Sequence, residues 1–322
     1  MLSNLFTEAF FKRFGLLTIY SIFFLILVGG LVRVSGSGMG CPDWPKCFDQ
    51  WVPPTDVSEL PADYRERFAA PGKPVAEFSV FHTWTEYINR LVGALTGLFI
   101  VVCALSSLQF RKTDPLRTAL SVLSLVLVGF QGWIGKVVVD TNLAEWMVTI
   151  HMLLALVIVA LVMYVIYRNR ITTERLNTQA IPVFKNLTLL AILFSLVQIG
   201  VGTQVREAID SVLLRGAPGP WEDFADGLIK AHIFISAFVL GLSIQLFYLS
   251  KKHFGRVTEI VRINKWALIF TVIQIVSGIA NRWMNLNDVA QVVHITVGTI
   301  MFGAWFYSFL MINNEMKAAQ QR

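Results

Sequence analysis

The sequence predicts an all-α integral membrane protein, with eight transmembrane helices arranged as two parallel four-helix-bundle repeats. Three observations predict it. Of the 322 residues, 55% are hydrophobic and only 15% are charged, where a soluble domain carries about 25% charged residues. The apolar residues gather into eight runs, each near the ~20 residues that a ~30 Å hydrocarbon core requires. Short motifs of the first half also return at fixed spacing in the second.

The runs fall at 15–34, 84–108, 118–139, 145–167, 187–206, 228–249, 264–283 and 289–312. The first reads as an uncleaved span, because "GGLVRVSGSG" continues from it with no small-residue cleavage site. Charge orients the set. With the N-terminus inside, the inner segments carry 16 Lys and Arg against 5 acids, and the outer ones 11 against 16. The short inner loops are the most basic, holding Arg111, Lys112 and Arg117, then Arg168, Arg170, Arg175 and Lys185, then Lys251, Lys252, Arg256, Arg262 and Lys265. The positive-inside rule therefore puts both termini in the cytoplasm. The net charge of +6 follows from this asymmetry, and it is not a nucleic-acid signal.

The halves resemble each other locally. "VGGLVR" (28–33) in the first run matches "VGTQVR" (201–206) in the fifth, which aligns Gly29 with Gly202 and Arg33 with Arg206. "QGWIG" in the third run starts twenty residues before His151, and "QIVSG" in the seventh starts twenty before His294. Gly135 and Gly278 each stand sixteen residues before their histidine. A duplicated helical hairpin has this signature. Four helices is an even number, so the copies keep one orientation and a site in one should recur at the same depth in the other.

Two cysteines, Cys41 and Cys47, share the first outer loop, "GSGMGCPDWPKCF". In an oxidising compartment they either pair or stand as two loop thiols; two are too few for a zinc site. Cys103, inside the second run, reads as a packing residue.

The sequence has five histidines. His253 lies in a basic inner loop and reads as solvated. His151, His232 and His294 sit five to seven residues inside the outer ends of the fourth, sixth and eighth runs, about 8–10 Å deep at 1.5 Å per residue. Imidazoles inside a membrane need partners, and haem iron is a common one. His232 and His294 belong to one repeat and can ligate one haem from both sides. No C-x-x-C-H is present, so such a haem would be held non-covalently. In the other repeat, aligning "AHIFISA" with "INRLVGA" sets His232 opposite Asn89. That repeat therefore offers His151 and an amide, which leaves one iron face open. Glu86 and Arg90 flank Asn89 in "VFHTWTEYINRLVG".

Taken together, these residues resemble the haem A synthases of bacteria and mitochondria. The resemblance rests on "GSGMGCPDWPKC", on "EYINR" where the family has Glu-x-x-His-Arg, and on His151, His232 and His294. It covers essentially the whole chain. It implies oxidation of a ring methyl of haem O to a formyl group, making haem A for terminal oxidases. It further implies a substrate-haem site in residues 1–170, with His151, Asn89 and Arg90, and Glu86 as the catalytic glutamate. Residues 171–322 would hold a resident b-type haem through His232 and His294, and Cys41 and Cys47 would match the family's outer-loop pair. The implied partners are haem O and its synthase, terminal oxidase assembly, the lipid bilayer and a possible second copy of the chain. The implied location is the bacterial cytoplasmic membrane. Electron donor and oxygen source stay open.

Two departures stand out. The loop "EAIDSVLLRGAPGPWEDFADG" lacks the second cysteine pair of some members. Asn89 replaces a histidine, and three explanations compete. His82 substitutes, from about 10 Å higher on the same face; or one ligand suffices and the amide hydrogen-bonds an iron-bound oxygen species or a water; or the site has lost catalysis. Glu86 also has a plain reading, as the i,i+4 partner of Arg90. The rival functions are a di-haem b-type electron carrier, which needs bis-imidazole ligation in both halves, and a non-catalytic haem-handling protein, which does not need Glu86. A transporter fits least, because the charges cluster at the outer ends. Tryptophans 44, 51, 84, 133, 146, 221 and 283 form an interfacial belt, and the long outer loop from Pro53 to Pro74 suggests a lid or partner surface.

Overall fold

The computed structural model describes residues 7–69, 75–141, 143–170, 177, 179–215, 221–255, 258–284 and 286–320. Its helices are α1 (Glu8–Val34), a short α2 (Tyr64–Arg67), α3 (Val80–Ser107), α4 (Pro115–Asp140), α5 (Glu145–Tyr167), α6 (Ile181–Arg215), α7 (Trp221–His253), α8 (Glu259–Trp283) and α9 (Asp288–Gln320). All but α2 are long and apolar enough to cross a membrane. These eight contain the eight runs expected from the sequence except for one residue at the C-terminal end of α3, so the protein is a multi-pass membrane protein. Among the described residues there is no strand, only an isolated bridge between Cys47 and Gln50.

Local chemistry starts the helices where they start. Thr7 caps α1 by accepting the Phe10 N–H at 3.1 Å. Ser79 caps α3, Thr258 caps α8, and Asp114 precedes Pro115 at the head of α4. Each cap satisfies a donor that the first turn would otherwise leave orphaned.

Contacts divide the chain into two compact units, Met1–Ile166 and Tyr167–Arg322. In the first, α1 and α4 both pack on α3. Gly15 admits the Ile166 side chain, whose Cδ1 would lie only 2.0 Å from a Cβ there. In the second, α6, α7, α8 and α9 close a ring, each packing on the next and α9 returning to α6. Lipid tails are as apolar as leucine, so small residues and polar contacts must hold such bundles. Ser21 meets Thr96 at 2.6 Å, Ser243 meets Thr271 at 2.7 Å, and Asn264 donates to Ser308 at 2.9 Å.

The first outer loop folds on itself. Cys41 and Cys47 form a disulfide with Cα atoms 4.8 Å apart, and both are fully buried with Phe48, Leu60 and Tyr64. The Phe48 ring stands edge-on to Tyr64, Phe68 and Phe78. Phe48 and Asp49 adopt positive φ, 54° and 63°, and the Asp43 carboxylate holds the turn by accepting both their N–H groups, at 2.6 and 2.9 Å. Asp56 caps the turn Val57–Glu59, and its bonds from Ser58 hold its carboxyl below the usual range. The end of the expected lid, 70–74, lies outside the described residues, as do Arg175, Arg256 and residues 216–220 between α6 and α7.

Candidate functional site

One local arrangement occurs four times. On α4, α6 and α8 a glycine faces an imidazole on the next helix. A Cβ on Gly135 would stand 3.5 Å from Cε1 of His151, one on Gly202 would stand 3.1 Å from that of His232, and one on Gly278 would stand 3.3 Å from that of His294. On α1 a Cβ on Gly29 would lie 3.9 Å from Oδ1 of Asn89. Asn89 thus occupies, on α3, the place that the histidines occupy on α5, α7 and α9. The turns leading into α5 and α9 also match. Leu143 and Leu286, each eight residues before a histidine, have positive φ of 59° and 61°.

Each histidine is gripped by a glutamine four residues before that glycine. The side-chain amides of Gln131, Gln198 and Gln274 donate to the backbone carbonyls of His151, His232 and His294 at 2.9, 3.1 and 2.5 Å. His294 Nδ1 also lies 3.1 Å from the Gln274 carbonyl and 3.0 Å from Ser277 Oγ. Its Nδ1 therefore works within the protein, and Nε2 is the ring's remaining nitrogen. A metal-binding histidine is oriented in this way, by hydrogen-bonding its other nitrogen to a carbonyl.

The rings of His232 and His294 lie 6.2 Å apart between centroids. That is close to what two metal–nitrogen bonds of ~2.0 Å plus the two ring radii span. Nδ1 of His232 and of His151 are buried with no hydrogen-bond partner, as is Oδ1 of Asn89. Leaving such atoms orphaned in a membrane is costly. Among the described residues no three His, Cys, Asp or Glu side chains gather into a metal-ion donor set. Two imidazoles suit an iron whose other four ligands come from a macrocycle, so the donor set fits a haem.

Glu86 and Arg90 are brought together, and both turn to the outer loop. Glu86 is 3% exposed. One carboxylate oxygen accepts the Cys41 N–H at 2.8 Å, and the other accepts from the Arg90 guanidinium. Arg90 also donates to the carbonyls of Asp43 at 2.7 Å, Lys46 at 2.9 Å and Cys41 at 3.4 Å. The disulfide loop is thereby fastened to α3 one turn before Asn89 and at the residue directly after it. Gly40 permits the approach, since a Cβ there would stand 2.3 Å from the His82 carbonyl oxygen. Thr83 Oγ1 donates to the Gly40 carbonyl at 2.9 Å.

His82 is placed in the first turn of α3, its Nδ1 3.0 Å from Ser37 Oγ. Cys103 is buried against Thr18 Oγ1 at 3.2 Å. Trp84 donates to the Pro54 carbonyl at 3.2 Å, and Tyr87 donates to that of Trp51, so α3 also holds the far limb of the loop. Sequence reasoning noted "QGWIG" and "QIVSG" but passed over their glutamines. The signal was present as a Gln and a Gly four apart on α4, α6 and α8.

The family described as cytochrome oxidase assembly protein matches residues 12–306. A heme A synthase of Shouchella clausii is 25% identical over 283 residues, covering 84% of this chain and 85% of its own. One of Alkalihalophilus pseudofirmus is 25% identical over 316 residues, covering 94% and 97%. One of Pelagibacter ubique is 31% identical over 171 residues, covering 48% and 50%.

Proposed function

Because the chain belongs to the cytochrome oxidase assembly protein family, we propose that it works as a membrane haem A synthase. It oxidises a ring methyl of haem O to a formyl group, a four-electron change in which the oxygen atom and the electron acceptor come from outside this chain. The product serves terminal oxidase assembly.

The finer reading divides the work between two four-helix repeats, residues 1–170 and 171–322. His232 and His294 hold a resident b-type haem. Held by these two imidazoles, it would supply one-electron transfer. His151 faces haem O from one side. Asn89, too poor a donor to bind iron, leaves the other side open to water and reactants. Glu86 and Arg90 set the disulfide loop over the outer mouth of this site, and Glu86 supplies the carboxylate nearest to it in the chain. The observation that carries the reading is the recurrence of one helix–helix contact at four positions, three with histidine and one with Asn89. A di-haem electron carrier would need an imidazole at the fourth. The charge asymmetry supports a bacterial cytoplasmic membrane location with both termini inside.

Expression with a supply of haem O, followed by extraction and identification of the haems, tests the activity. Haem A or its hydroxylated precursor is expected. A protein that binds haem yet yields neither overturns the enzyme reading.

A further inference from the structure

We infer that Gln131, Gln198 and Gln274 are positioning residues for the haem-facing histidines, and that the hairpin of α1 and α3 has exchanged both members of this pair, carrying Leu25 for glutamine and Asn89 for histidine. The inference rests on the proposal that these histidines face haems.

A helical carbonyl already accepts one N–H from the next turn, and it has a second lone pair. The three glutamine amides take that lone pair on the histidine itself. A bond at this point ties the height and rotation of the histidine-bearing turn to the neighbouring helix. The glycine one turn further along then leaves a flat surface, on which the edge of the imidazole rests. In the α8–α9 hairpin the tie runs both ways. Gln274 donates from its side chain to the His294 backbone at 2.5 Å, and the His294 ring lies 3.1 Å from the Gln274 carbonyl. In the α6–α7 hairpin the Gln198 amide nitrogen lies 3.1 Å from the ring Nε2 of His232 as well as from its carbonyl.

Leu25 is the structural counterpart of these glutamines. It stands four residues before Gly29, as Gln274 stands four before Gly278. Its Cδ1 lies 3.9 Å from a Cβ position on Gly93, four residues past Asn89. The Gln274 amide lies 3.4 Å from the corresponding position on Gly298, four residues past His294. The α1–α3 hairpin therefore keeps both glycines and lacks both the glutamine and the histidine. Leucine has no N–H to give, so a histidine restored at position 89 would lack the bond that sets the other three.

The test uses the full-length purified protein loaded with ferric haem b, read by absorption and electron paramagnetic resonance. Gln→Met keeps side-chain length and removes the donor. Gln198→Met and Gln274→Met are expected to shift the low-spin signal and to release haem about three- to tenfold faster, the range for losing one interhelical hydrogen bond in a bilayer. Gln131→Met should leave that low-spin signal unchanged. In the first repeat, Asn89→His alone should give a mixed-spin iron, and Leu25→Gln with Asn89→His a second low-spin species. Wild-type spectra and release rates in Gln198→Met and Gln274→Met overturn the inference, as does a double variant that behaves like Asn89→His alone. Should either Met variant fail to fold, the Leu25 comparison decides. A low-spin haem signal that survives His232→Ala with His294→Ala sinks the underlying haem reading instead.

Discussion

The carboxylate of Glu86 accepts the backbone N–H of Cys41 at 2.8 Å, across 45 residues of chain. Through it a helix at the edge of the membrane holds the first residue of a disulfide loop. With Arg90 completing the clamp on three loop carbonyls, position and chemistry meet at one carboxylate. Glu86→Ala should remove product formation while the low-spin haem spectrum persists. Because it leaves the Cys41 N–H without its acceptor and removes the counter-charge of Arg90, it should also destabilise the outer half of this unit by about 1–3 kcal/mol, visible as faster proteolysis between residues 41 and 69. Glu86→Gln keeps the shape and one acceptor, and should retain the protease resistance better than Ala. Full activity in Glu86→Ala would leave the residue a purely structural role.

Opening the disulfide should act on the same loop. With Cys41→Ser and Cys47→Ser together, the entropic restraint of about 2–4 kcal/mol is lost, and haem A formation is expected to fall while haem bound by His232 and His294 is unaffected. A change in that spectrum would mean that the loop supports more than the first repeat.

His232→Ala and His294→Ala should each abolish the low-spin haem spectrum, since either leaves one iron face without its imidazole. His151→Ala should preserve it and lose product. Spectra of the purified variants, set beside extracted haems, separate the two sites.

Gly40 tests the docking geometry alone. Its φ is −69°, open to any residue, so backbone strain is not the issue. A methyl group at 2.3 Å from the His82 carbonyl oxygen must push the loop off α3. Gly40→Ala is expected to cost about 1–3 kcal/mol, the usual penalty for overpacking, read as a lowered melting temperature. An unchanged melting temperature would show that the loop rides loosely on the helix.

Much of this was legible in the chain itself. The eight spans follow from apolar runs longer than a bilayer is thick, a constraint strong enough to need no tertiary information. The candidate histidines were legible because polar residues are rare and costly there. The loop cysteines were read as paired or free, and the fold shows them paired. The reach of Arg90 to three carbonyls and the Gln274 grip on His294 were not legible. Both join side chains to backbone atoms far along the chain, and a carbonyl carries no residue identity to read.

The sequence by itself determined the class, the number of spans and the rare polar residues within them, because hydrocarbon penalises every unsatisfied group and so leaves a pattern in composition. Only the tertiary structure decided what those residues touch. Glu86 lies on one helical face with Arg90, yet it was the folding of residues 41–47 back onto α3 that turned the carboxylate to Cys41. Asn89 was an anomaly in a motif until Gly29 was found beside it, as Gly135, Gly202 and Gly278 stand beside histidines. Packing between helices is set by shape and close approach, and neither can be read from one chain's order of residues.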